Sequence, residues 1–120
     1  MGKVVINLTA GPEDPEAATI AYLVGTAAQA AGNTALCFMT KEAVRLGLTG
    51  GPEAVAQQDG RPAVAQLSAD FAAAGGTIYL CPVCVRSRGL DEGSLLANAS
   101  VLGAAALWEW IGEGATVFTY

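Results

Sequence analysis

The residues best suited to chemistry in this 120-residue chain are Cys81 and Cys84, in the run Cys81-Pro-Val-Cys84-Val-Arg-Ser-Arg-Gly89. Thiolate rather than thiol attacks sulfur and carbon electrophiles, and neighbouring cations and backbone N–H groups favour it. Arg86 and Arg88 are two of the six cations in the protein, so the spacing puts positive charge beside both sulfurs. A thiol three residues from the first can resolve an oxidised or persulfidated partner as an internal disulfide. Cys37, between Leu36 and Phe38 in an apolar run, reads instead as a small core hydrophobe. Histidine is absent, which removes the commonest general base and the commonest metal ligand. One Cys-x-x-Cys without histidine also falls short of the four ligands of a closed zinc site, so neither metal nor cofactor is expected. Thr9, Gly11 and Pro12 follow the first apolar run and are expected to line the same cleft as the thiols. Their segment is neither a GxxxxGK[ST] loop nor a GxGxxG fingerprint, and its acids read as helix-capping charge.

These residues need elements to place them. Residues 3–8 and 34–39 are short apolar runs, and residues 77–81 form a third that ends on Cys81. Between the first two, Asp14 is a predicted N-cap, Pro15 the first helical residue and Gly32 the stop. Ile20, Leu23, Val24, Ala27, Ala28 and Ala31 recur at helical spacing and predict that helix's apolar face. Continuous rather than alternating hydrophobicity in the strands predicts right-handed βαβ units in a parallel sheet. A short helix is expected over residues 41–46, followed by a loop to residue 62 that is able to move; the sequence does not decide whether 41–62 forms a lid. Pro62 opens a second helix, with Val64, Leu67, Phe71 and Ala74 on one face and Gly75-Gly76 at its end. Residues 82–89 read as a loop and residues 91–97 as a helix. Residues 99–102 form a fourth strand, a last helix carries Leu107, Trp108 and Ile111, and residues 115–120 make the fifth strand. Trp108 and Trp110 face different ways, one into the core and one to an interface. Open parallel sheets bind ligands at the carboxyl ends of their strands, where Cys81 falls.

Composition narrows the function classes. At 120 residues one core and one domain, 1–120, are expected. The chain is 52% hydrophobic but only 14% charged, which predicts apolar surface left over for a homo-oligomeric interface. A net charge of −5 and no basic run argue against nucleic acid and anionic membranes as partners. Residues 17–40 carry no charge, but Gln29, Gly32, Asn33 and many alanines make the stretch too polar to span a bilayer. Three cysteines without a signal-like start predict a reducing, cytoplasmic location.

The segments Leu8-Thr-Ala-Gly-Pro-Glu-Asp-Pro15, Cys81-x-x-Cys84-x-x-x-Arg88-Gly89-Leu90 and Leu107-x-x-Trp110-Ile111…Val117-x-Thr119-Tyr120 together resemble the DsrE/DsrF-like family. The resemblance implies a three-layer α/β/α fold with a five-stranded parallel sheet, and a homotrimer or hexamer. It implies sulfur relay through a cysteine persulfide, with sulfur donor and acceptor proteins or small sulfane-sulfur species as partners. In the relay subunits the working cysteine stands eight residues before the glycine of the Arg-Gly pair, the place of Cys81. The YchN-like homo-oligomeric branch carries Cys-x-x-Cys before Ala-Arg-Gly, which Cys84 and Arg88-Gly89 match with Ser87 in place of alanine. On this reading Cys81 accepts the sulfur, Arg86, Arg88 and Gly89 stabilise the anion, and Cys84 releases or resolves it. The spacing alone does not decide which thiol is the nucleophile. Two other functions fit the residues: an oligomeric module that binds a small ligand or partner with structural thiols, and a thiol–disulfide redox protein.

Overall fold

The computed structural model describes residues 1–120. Its strands are β1 (Lys3–Leu8), β2 (Thr34–Met39), β3 (Thr77–Leu80), β4 (Ala99–Val101) and β5 (Thr116–Thr119). They form one sheet in the order β4-β3-β2-β1-β5, and every neighbouring pair is parallel. Helices α1 (Pro15–Ala30), α2 (Val64–Ala73), α3 (Pro82–Ser87) and α4 (Ala104–Ile111) connect them, with 3-10 helices at Lys41–Gly47 and Pro52–Ala54. From β1 to β4 the chain advances across the sheet in one direction. The step from β4 to β5 runs back across it, which for right-handed crossovers puts α4 on the face opposite α1 and α2. Accordingly Lys3 Nζ, on that second face, donates to Trp110 O at 2.7 Å and sits 5.3 Å from the Trp110 ring centroid. The result is a three-layer α/β/α fold.

Alternation along each strand splits the apolar runs between the two faces. Val4, Ile6, Leu8, Ala35, Cys37, Met39, Ile78 and Leu80 join Ala18, Ala21, Tyr22, Val64, Leu67 and Phe71 in the main core. Fully burying side chains of the size of Leu8, Ile78, Leu80 or Phe71 stabilises by roughly 1.5–3 kcal/mol each. On the second face Val5 and Leu36 are equally buried. That layer is nonetheless thin, because no residue of α4 is buried and Trp108 is 71% exposed. Thus neither tryptophan is a core residue: Trp110 is half-buried and Trp108 lies open, contrary to the expected division between them.

Several sequence expectations are corrected. The Asp14 cap forms, its carboxylate accepting from Ala17 N at 3.1 Å. The buried face of α1, however, is Ala18, Thr19, Ala21, Tyr22 and Gly25, whereas Ile20 and Leu23 are exposed. Close approach to neighbouring elements selects small residues over the most apolar stripe: a Cβ at Gly25 would stand 3.2 Å from the Phe71 ring. Residues 91–97 form turns rather than a helix, with Gly93 N donating to Asp91 Oδ1 and Leu48 bridging Leu95 antiparallel. Asp91 and Ser94 satisfy the local backbone with side-chain bonds that compete with helix. The expected loop after Cys81 is instead α3, opened by Pro82 at its first position. The short helix expected over residues 41–46 is a 3-10 helix, Lys41–Gly47, packed down with Ala43, Val44, Leu46 and Gly47 buried. The second helix begins at Val64, two residues later than its proline suggested.

Candidate functional site

Parallel pairing brings the carboxyl ends of β1, β2 and β3 to one edge, with Leu8 beside Met39 and Met39 beside Leu80. The chain leaves β3 at Cys81, whose N–H still donates to Met39 O at 2.9 Å and whose carbonyl accepts from Val85 N at 3.0 Å. Cys81 is therefore the N-cap of α3, and Cys84 lies one helical turn on along the same side. Both are unpaired and half-buried. Cys81 makes no side-chain capping bond.

Cys84 Sγ accepts a hydrogen bond from Lys41 N at 3.1 Å. Lys41 is the first residue of the 3-10 helix after β2, and it is the one non-glycine residue with positive φ, +55°. Such a conformation persists where the surroundings over-determine it. Here the next residue does so: Glu42 Oε1 accepts from Arg88 Nε at 2.7 Å and its Oε2 from Arg45 Nε at 2.7 Å. Those bonds, Arg88 first, hold the Glu42 carboxyl below the usual carboxylate range, and the contact with Glu42 raises Arg88. Arg88 Nη1 in turn donates to Cys84 O at 3.2 Å and to Ser87 Oγ at 3.4 Å, satisfying a carbonyl of the short helix α3.

The two arginines read from the sequence as anion holders are thus differently employed. Arg88 reaches the thiol pair but spends its Nε and Nη1 on Glu42 and on backbone. Arg86, 65% exposed, points to Glu92 at 3.3 Å. Gly89 adopts φ +62° and closes α3. Of the residues after β1, Gly11 is buried against Glu42, while Thr9 Oγ1 donates to Tyr120 O at 3.0 Å and ties the loop to the end of β5. Pro12 is half-buried. Sequence reasoning missed Lys41, Glu42 and Arg45, although a signal existed. Residues directly after β2 must reach the same edge as those after β1 and β3.

Cys37 contrasts with the pair. It is fully enclosed beneath the helices, and burial pushes its thiol up to about 12. No three His, Cys, Asp or Glu side chains are grouped as metal ligands. A pocket of about 400 Å³ lies elsewhere, between α2 and residues 96–98, and none of the thiols lines it. The geometry, rather than pocket size, makes the strand-end thiols the candidate site: two half-buried cysteines at the edge of the core, one with its sulfur engaged by a backbone donor. No helix is long and apolar enough to cross a membrane.

The chain is similar in fold to the ychN protein from E. coli, with a TM-score of 0.81 at 20% identity over 100% of both chains. A protein of unknown function from Methanobacterium thermoautotrophicum superposes with a TM-score of 0.68 at 12% identity, again over 100% of both chains. No curated protein sequence matches the chain. The DsrE/DsrF-like family profile matches residues 2–120. Matched over nearly its whole length, the chain belongs to the DsrE/DsrF-like family.

Proposed function

We propose that this protein is a persulfide carrier in a sulfur relay, working through Cys81 and Cys84 in the reducing cytoplasm as a homo-oligomer, a trimer or hexamer. The observation that carries the reading is the Lys41 N–H donated to Cys84 Sγ at the open end of the sheet. A fixed donor there orients the sulfur to which the reading gives the attack, and thiolate is the attacking form of any cysteine. The family, associated with sulfur relay, supports the same chemistry. The donor supports Cys84 as the carrier and Cys81 as the resolving thiol, the reverse of the order read from the sequence.

In the loading step the Cys84 thiolate attacks the outer sulfur of a donor persulfide R–S–SH. A bond forms between Cys84 Sγ and that sulfur, the donor's S–S bond breaks, and R–S⁻ leaves; no net oxidation occurs. An acceptor thiolate then takes the outer sulfur and Cys84 departs as thiolate. Alternatively Cys81 attacks Cys84 Sγ, closing the Cys81–Cys84 disulfide and expelling HS⁻, so that the two thiols are oxidised as the sulfane sulfur is reduced. Arg88 and Gly89 act by holding α3, while Arg86 is paired with Glu92 on its outer surface. Sulfur donor and acceptor proteins or small sulfane-sulfur species are the partners. Apolar side chains left open, among them Ile20, Leu23, Trp108, Val117 and Phe118, support the oligomer.

Incubation with a low-molecular-weight persulfide followed by peptide mass measurement tests the proposal. One added sulfur atom on the peptide bearing Cys81 and Cys84 is expected. A peptide of unchanged mass contradicts carriage. A disulfide formed directly, with no sulfur ever added, favours a thiol–disulfide redox protein, and two inert thiols favour a binding module.

A further inference from the structure

The contact that singles out Cys84 is made by a backbone group, and a backbone N–H is only as well placed as the segment that carries it. We infer that Glu42 and Gly11 are positioning residues, whose task is to hold the Lys41 N–H against the Cys84 sulfur. This rests on the reading of the thiols as a sulfur-handling pair, but the geometry is independent of what the sulfur carries.

Three contacts support it. First, Lys41 stands at φ +55°, a conformation that L side chains seldom adopt and that relaxes unless its neighbours forbid it. Second, Glu42 is anchored on both oxygens, Oε2 by Arg45 within its own 3-10 helix and Oε1 by Arg88 from α3. Arg88 also bonds the carbonyl of Cys84 itself. Sulfur, Lys41, Glu42, Arg88 and the Cys84 carbonyl therefore close a ring in which the carboxylate fixes the distance between helix and turn. Third, the opposite side of the turn is pressed by Gly11. A Cβ there would lie 2.2 Å from Glu42 O and 2.7 Å from its carbonyl carbon. The φ of Gly11 is not left-handed, so space rather than conformation demands glycine. Any side chain at residue 11 displaces the Glu42–Ala43 peptide, the carbonyl of the residue directly after Lys41.

Site-resolved alkylation with iodoacetamide tests this without any persulfide. In Glu42→Gln, Gly11→Ala and Arg88→Lys the rate at Cys84 is expected to fall about three- to tenfold relative to Cys81, the effect of losing one charge-assisted donor partly offset by the greater intrinsic nucleophilicity of the less stabilised thiolate. The melting temperature of Glu42→Gln should stay close to wild type, because the side chain is partly solvated. Glu42→Asp, which keeps the carboxylate, should restore part of the ratio. A Cys84 to Cys81 ratio unchanged in folded Glu42→Gln and Arg88→Lys overturns the inference, as does an equal fall at both thiols. Sulfur loading that fails while the ratio changes removes the functional reading alone; loading that succeeds with an unchanged ratio removes the positioning role alone.

Discussion

Cys37 in β2 and Cys84 in α3, just beyond the end of the neighbouring β3, are treated by the fold in opposite ways. Cys37 points into the layer between β2 and the helices, where burial disfavours its charged form. Cys84 lies one turn beyond the end of β3, where the Lys41 N–H, from the connection that follows β2, meets its sulfur. The difference shows that position along a parallel strand, rather than apolar neighbours in sequence, decides whether a thiol is packing or chemistry. Backbone donors in mid-strand are consumed by the ladder; just beyond the strand end they are available.

The contrast can be broken or sharpened experimentally. The largest expected effect is in native-state alkylation: Cys37 should react at least about a thousandfold more slowly than Cys81 or Cys84, since it must wait for local opening. Comparable rates at all three thiols break the comparison. Next, a charge placed at the open apolar surface, Trp108→Glu or Phe118→Glu, should dissociate the proposed oligomer to monomers in light scattering while leaving the alkylation pattern in place. An unchanged mass removes those side chains from the interface.

A smaller effect concerns pH. The Cys37 thiol is raised on folding, so its contribution is complete below the ordinary thiol value of about 8.5 and is lost as pH rises toward about 12. Tyr22 is also raised, by burial first and then by Cys37, and adds in the same direction. Denaturant midpoints should therefore fall on the alkaline side, and Cys37→Ala should flatten that slope while costing about 1 kcal/mol of packing at neutral pH. A slope identical in the variant contradicts the burial account. The smallest effect is at Arg86, whose pairing with Glu92 is exposed. Arg86→Ala should change stability by less than about 0.5 kcal/mol and thiol rates hardly at all. A strong loss of Cys84 reactivity there would restore the arginine to the site.

Much of this was legible in the residues. Asp14 followed by Pro15 announced the start of α1, and the continuous apolar runs announced a parallel sheet, because both signals are local and chemical. The Cys-x-x-Cys pair was likewise visible, and so was the buried character of Cys37. What escaped depends on long-range placement. The outward face of α1 escaped because hydrophobicity predicts which side wants burial, whereas Ala18, Ala21 and Gly25 report how closely neighbouring elements approach. The donor at Lys41 escaped because a backbone N–H has no sequence signature, and the pairing of Arg88 with Glu42 escaped because the two stand 46 residues apart.

The most direct test of the central claim is sulfur transfer itself. After loading from a low-molecular-weight persulfide and removal of the donor, the protein is mixed with a thiol acceptor, and the persulfide formed on the acceptor is measured. The account predicts transfer by wild type and by Cys37→Ala, and its loss in Cys84→Ser. Transfer that persists in a Cys81→Ser, Cys84→Ser double variant, or that never occurs in the folded wild type, contradicts it.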